Sequence, residues 1–254
     1  MKQKTLRFII IFILSGLAFF ALTVPFHKIL SVFSLSEVRP SAVLYPFLSI
    51  SFGLPSILGI ACANLISDAV NGYSVAVLIE GIIPQMLYSF VPYIVWKKLN
   101  KGEEHIHRLD SVSRVLKFAL VCFLFAILSG IGTGIIINTN FGAPFSSVFF
   151  FVFLNNFDVS IILGYPLMII SNQIISRRSG TDRTLTINEK IVLAANAIEI
   201  IGLLVLTVIM YNNNATLGSY DIWNSIYLCS IVLINCILLL TLLVMVFLKK
   251  NSVK

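Results

Sequence analysis

Apolar residues in this chain come in long runs, and polar residues gather in the short gaps between them. The first run, residues 8–26, predicts a helix long enough to cross a bilayer, which takes about 20 apolar residues. Two shorter runs follow at about 41–53 and 54–70, divided at Gly53 and Pro55. As a helix, the first of these covers only about 20 Å, against a hydrocarbon core of about 30 Å. It predicts a short or tilted helix shielded by its neighbours, because broken elements at membrane depth must be buried in protein. Five further helices are predicted at about 74–96, 115–137, 159–176, 190–211 and 223–248. Residues 142–157 are apolar but interrupted, and are expected to form an outer segment leading into the sixth helix. No internal repeat or low-complexity linker breaks the series.

Composition agrees with the pattern. Of 254 residues, 58% are hydrophobic and 11% are charged. The mean hydropathy is +0.97, far from that of a soluble domain. The expected fold is all-α, a polytopic membrane helix bundle of about eight spans. It divides into a six-helix unit over residues 1–176, and a loop with a C-terminal transmembrane hairpin over 177–254. The first run is long for a signal core and lacks a small-x-small cleavage site, which argues against a cleaved leader.

Charge then sets the orientation. Basic clusters stand at Lys2–Arg7, Lys97–Lys117, Arg177–Lys190 and Lys249–Lys254. The positive-inside rule puts all of them, and both termini, in the cytoplasm of a multi-pass cell-membrane protein. Of 18 Lys and Arg residues, only Lys28 and Arg39 fall in outer gaps. The net charge of +7 is therefore a matter of topology, and no nucleic-acid partner is expected. Cys62, Cys122, Cys229 and Cys236 lie inside apolar runs without metal-ligand spacing, and read as buried reduced thiols.

The candidate chemistry lies where polar groups enter the apolar runs. Gly59, Ala63 and Ser67 recur every four residues and make a smooth packing stripe on the third helix. Asn64 and Asp68 form a second stripe about 100° round. Carboxylates at membrane depth are costly, so this face is expected to meet a cavity or a partner. Glu80 lies just inside the fourth helix, with Gln85 deeper. Arg39, Asn138, Asn140, Asn155, Asn156 and Asp158 stand near the same outer side. A binding site is expected there from Arg39, Asn64, Asp68, Glu80, Asn138, Asn140, Asn155, Asn156 and Asp158. For Asn138, Asn140 and Asp158, helix capping is an equal alternative to a place in the site. The excess of acid hints at a cationic or amine-bearing solute. Tyr45, Tyr73, Tyr88, Tyr93 and Tyr165 read as interface-belt residues or as platforms for a ring.

Other polar groups read more simply. Gly130 and Gly134 form a G-x-x-x-G that marks close helix packing. Asn196, Glu199 and Asn235 read as hydrogen-bonding glue for the last hairpin, with a proton-relay role for Glu199 as the alternative. Glu103, Glu104, His105 and His107 read as a solvated loop rather than a metal site. No Walker A loop, nucleophile elbow or metalloprotease motif is present, so no catalytic residue, metal or cofactor is expected.

The stretch VRPSAVLYPFLSISFGLPSILGIACANLISDAVNGYS resembles the substrate-binding S component of energy-coupling factor (ECF) transporters. The features carrying the resemblance are Arg39 before the second helix, the Gly-x-Pro junction, the Gly59 stripe and the acid ending the third helix. NNFDVSIILGY, residues 155–165, is also similar to a late helix of related membrane proteins. The resemblance spans about residues 8–176 and implies a six-helix subunit that captures a small molecule from outside. It also implies a membrane coupling subunit and cytoplasmic ATPase subunits as partners, with Arg39, Asn64, Asp68 and Glu80 around the substrate. Helix one would dock on the coupling subunit through small residues, here Gly16, Ala18 and Ala21, although a clear Ala-x-x-x-Ala is missing. The hairpin after residue 190 is a second departure. The alternative is a membrane sensor or immunity-type permease subunit without a deep solute pocket, in which Asn64 and Asp68 contact other side chains. Cysteines placed singly at positions 36 and 110, in a background without native cysteines, test the topology. Only the first is expected to react with an impermeant thiol reagent added to intact cells, and labelling of both from one side would refute the orientation.

Overall fold

The computed structural model describes residues 2–29, 39–101, 108–178, 185–187, 189–194, 196–198 and 201. Among them every regular element is helical. In chain order these are α1 (Lys2–Ile29), a 3₁₀ turn (Pro40–Val43), α2 (Leu44–Phe52), α3 (Leu54–Val70), α4 (Val75–Leu99), α5 (Val112–Phe141) and α6 (Phe145–Arg178). Among the described residues four stretches are long and apolar enough to cross a membrane: Gln3–Pro25, Val75–Leu99, Val112–Phe141 and Phe145–Ile174. Their outward faces carry bare hydrocarbon, such as Leu14, Leu17, Ile79 and Ile83 at 60–70% exposure, as lipid contact requires. The chain divides into two compact units, Met1–His107 with Leu116–Met168, and Arg108–Val115 with Ile169–Lys254.

The larger unit is built around the short helix. Residues 41–46 and 48–50 are all buried, so the 3₁₀ turn and α2 are covered by neighbouring helices, as their length requires. Gly53 joins α2 to α3 at φ 71°, a left-handed conformation that favours glycine. Its amide donates to the Ser49 carbonyl at 2.9 Å, and Pro55 opens α3. The Ser56 hydroxyl lies 2.8 Å from the Leu48 carbonyl and 2.7 Å from that of Gly53, which stitches the junction shut.

Glycines set the closest approaches. A β-carbon at Gly59 would overlap the Phe12 carbonyl oxygen, and one at Gly16 would lie 3.1 Å from the Gly59 carbonyl. The Gly59–Ala63 stripe therefore receives the backbone of α1. Gly130 and Gly134 of α5 receive Phe149 and Phe145 of α6. Those rings belong to a ladder, Phe145, Phe149, Phe153 and Phe157, stacked at centroid spacings of 5.9–6.1 Å.

That ladder corrects the expectation for residues 142–157. Only Gly142–Pro144 is non-helical, and α6 runs unbroken from Phe145. The polar residues that interrupt the apolar run lie inside the helix. Asn156 Nδ2 donates to Ser129 Oγ on α5 at 2.8 Å. Helices expected at 115–137 and 159–176 are also longer at both ends.

In the smaller unit, Arg114 pairs with Asp110 at 2.7 Å, one turn apart at the start of α5. Thr186 and Glu189 form a capping box. The Glu189 carboxylate accepts from the Thr186 amide at 2.9 Å, and the Thr186 hydroxyl accepts from the Glu189 amide at 3.3 Å. The expected helices near 190–211 and 223–248 lie wholly or largely outside the described residues, as do Glu103, Glu104, His105, His107, Glu199, Asn235, Cys229 and Cys236.

Gly59→Val is expected to lower the thermal midpoint in detergent, costing about 1–3 kcal/mol through the forced shift of α1. Gly81→Ala, where a β-carbon meets nothing within 4 Å, is expected to stay within about 0.5 kcal/mol of wild type. Equal losses for the two variants would contradict this packing.

Candidate functional site

The site starts from Tyr45. Its ring is stacked on Phe125 at 5.1 Å and meets Phe19 and Tyr88 edge-on at 5.2 and 5.9 Å. A phenol buried this way still needs a partner for its hydroxyl. Tyr45 OH donates to Gln85 Oε1 of α4 and lies 3.4 Å from Asn64 Oδ1 of α3. Asn64 in turn donates from Nδ2 to the Asp68 carboxylate at 2.6 Å. One polar chain thus runs from Asp68 through Asn64 and Tyr45 to Gln85, linking α3, α2 and α4.

A cavity of about 60 Å³ opens at the Gln85 end of this chain. Its polar wall comes from Arg39, Ser41, Tyr45, Gln85, Tyr88, Ser129, Thr133, Asn155 and Asn156, and Phe19, Ala42 and Val152 complete it. A water molecule takes about 10–15 Å³ on this measure, so the space suits about 4–6 waters or an equivalent solute. Gln85 and Asn155 each lie ten residues into their helices, a depth of about 15 Å at the helical rise. Tyr88 is hydrogen-bonded to Thr133, and the Ser129 hydroxyl bonds the Ala126 carbonyl at 3.0 Å while accepting from Asn156.

The nine expected residues divide into separate groups. Arg39, Asn155 and Asn156 line the cavity. Asn64 and Asp68 bond to each other behind Tyr45 and do not line it. Glu80 is exposed, and its carboxylate accepts from Asn140 Nδ2 at 2.7 Å. That pair ties α4 to the end of α5, close to the Tyr73–Phe141 ring contact at 6.4 Å. Asn138 donates to the Ala143 carbonyl at 2.8 Å and closes the α5–α6 turn. Asp158 is buried on α6, one turn beyond Asn155, and is not part of the cavity wall. Of the nine, only Arg39 and the two α6 asparagines reach the hollow.

Ser41, Ser129 and Thr133 were not legible as site residues. Small hydroxyls can bond a carbonyl one turn back and so enter apolar helices at little cost, which leaves no signal. Tyr165 packs on Phe118 at 5.3 Å and Tyr93 lies under Lys97 at 5.8 Å, so neither serves the cavity. Cys122 is buried, whereas Cys62 is exposed rather than buried as expected. Among the described residues no group of three or more His, Cys, Asp or Glu could hold a metal ion. No family model, curated protein or solved structure matches the chain.

Tyr45→Phe removes only the hydroxyl and is expected to destabilise the protein by about 0.6–1.7 kcal/mol, the range of interhelical hydrogen bonds in membranes. Glu80→Gln, at the exposed pair, is expected to leave the thermal midpoint unchanged. A larger loss for Glu80→Gln than for Tyr45→Phe would overturn the assignment of Tyr45 as the buried polar hub.

Proposed function

We propose that the chain is a membrane-embedded solute-binding protein, the capture subunit of an ECF-type importer, with its site at the Arg39 cavity. One observation carries the reading: polar side chains from the Arg39–Ser41 entry, α2, α4, α5 and α6 line a hollow about 15 Å down an otherwise apolar bundle. Such groups are costly in hydrocarbon unless they serve each other or a solute. The positive-inside pattern turns the mouth of this hollow outward. The expectation of a cationic solute rested on the excess of Asp68, Glu80 and Asp158 over Arg39; Asp68 accepts from Asn64, Glu80 accepts from Asn140, and none of the three lines the cavity.

The outward face of α1, with Leu14, Leu17, Ala18 and Ala21 exposed, is the surface offered to a coupling subunit. Gly16 is taken up by contact with α3. ATP hydrolysis in this reading comes from partner subunits. A second reading, a sensor or immunity-type permease subunit without a deep solute pocket, is favoured by the Asn64–Asp68 bond, which is the side-chain contact it foretold.

Gentle detergent purification separates the two. The first reading expects a small molecule retained by wild type and by Glu80→Gln, lost in Arg39→Gln and Asn155→Leu, with an ATPase subunit co-purifying. Retention that ignores Arg39 and Asn155 would refute the site, and a chain that never co-purifies with an ATPase would refute the importer class.

A further inference from the structure

Hydrogen-bonding groups on the cavity wall can be sorted by what the protein already asks of them. Arg39 is the one charged residue of the wall among the described residues, and it is engaged within the protein, as is Asp68. Their opposite charges both reach the Tyr45 hydroxyl, so the positive charge at the wall is answered by a negative one behind that ring. The Tyr88 hydroxyl is bonded to Thr133. Ser129 donates its proton to the Ala126 carbonyl at 3.0 Å, so toward Asn156 it can only accept. That fixes the Asn156 amide with its nitrogen on Ser129 and leaves its carbonyl oxygen as an acceptor. Gln85 is fixed the opposite way: its Oε1 accepts from Tyr45, which leaves its amide hydrogens as donors. Ser41 is 1% exposed, and its hydroxyl, able to donate or accept, has no hydrogen-bond partner among the described residues. What these groups still offer is mixed and uncharged: donors from Gln85, an acceptor from Asn156 and a hydroxyl from Ser41.

We infer that the solute is a small neutral compound of about 4–6 non-hydrogen atoms, of the amide or urea class, carrying both a donor and an acceptor. This rests on the solute-binding reading above and deepens it. The solute carbonyl accepts from Gln85, its N–H groups donate to Asn156, and the Ser41 hydroxyl serves either. A buried polar group left unmatched is costly, so a mixed wall rejects a solute that lacks one of the two functions. A charged solute would lose its water here and meet no counter-charge that is not already engaged, which is costlier still.

The test is equilibrium binding of radiolabelled probes to the full chain in lipid nanodiscs, at neutral pH and constant ionic strength, with empty nanodiscs subtracted. Urea, acetamide and propionamide are the neutral probes. Acetate, ethylamine and inorganic phosphate are the charged ones. Acetone has the shape of acetamide without its N–H groups. The expected result is binding by one or more of the neutral amides, with acetone and the charged probes about threefold or more weaker. Gln85→Glu keeps an acceptor for the Tyr45 hydroxyl and replaces the donors with a carboxylate. It is expected to weaken amide binding about three- to tenfold and to strengthen that of ethylamine. Ser41→Ala is expected to weaken amide binding about threefold, and keeps the test open where Gln85→Glu does not fold. A thermal midpoint within a few degrees of wild type verifies that each variant is folded. A charged probe or acetone binding more tightly than every amide, and sensitive to Asn155→Leu, would overturn the neutral amide class and leave the solute site standing. Amide binding indifferent to both Gln85→Glu and Ser41→Ala would also overturn it. No binding by any probe would overturn this inference, and the retained-molecule experiment then decides the solute reading separately.

Discussion

A phenol hydroxyl buried among hydrocarbon must be hydrogen-bonded, and most of the larger unit follows from how Tyr45 meets that demand. Its ring is fixed by Phe19, Tyr88 and Phe125. Its hydroxyl therefore has one place to go, and Gln85 and Asn64 stand there. Because the two partners belong to different helices, this one group sets α2 against both α3 and α4. In lipid there is no hydrophobic force to hold helices together, so such bonds and close packing do that work. The same polar group opens the path for others: once Gln85 is turned toward Tyr45, the space beyond it is lined by polar atoms and holds water or a solute.

Shape complementarity positions these groups. Gly59 lets α1 lie against α3, which brings Phe19 to Tyr45. Gly130 and Gly134 let the phenylalanine ladder of α6 settle on α5, which brings Asn156 to Ser129 and Asn155 to the cavity. The Gly53 turn places α2 beside α3 instead of beyond it, so that Tyr45 faces Asn64. Each of the three devices joins a small residue to a polar or aromatic contact one or two turns away.

Much of this is written plainly in the chain. Glycine followed by proline at 53–55 marks a boundary whose geometry leaves few choices. The four-residue spacing of Gly59 and Ala63 predicts a packed face, and α1 occupies it. Two features mislead. Asn155 and Asn156 look like a helix boundary, because the bonds that satisfy them run to another helix far off in sequence. Glu80, just inside α4, reads as a lining group of the site, yet its bond to Asn140 is made at the exposed end of the bundle. The cavity itself depends on which sides of five elements turn inward, and no single stretch of sequence carries that. The Thr186–Glu189 capping box, by contrast, matches the S/T-x-x-E/Q pattern directly and gives a helix start that apolar periodicity alone misplaces.

The decisive question is whether the space beyond Gln85 is wet. Ser41→Cys, in a protein otherwise lacking cysteines, places a thiol on its wall; native Cys122, kept alone in a second protein, lies fully buried in the helix packing. Methyl methanethiosulfonate, small enough at about six non-hydrogen atoms for this space, reacts with the thiolate, which forms readily only where water reaches. The account predicts steady labelling at position 41 and none at Cys122. A thiol at position 41 as inert as Cys122 would contradict it.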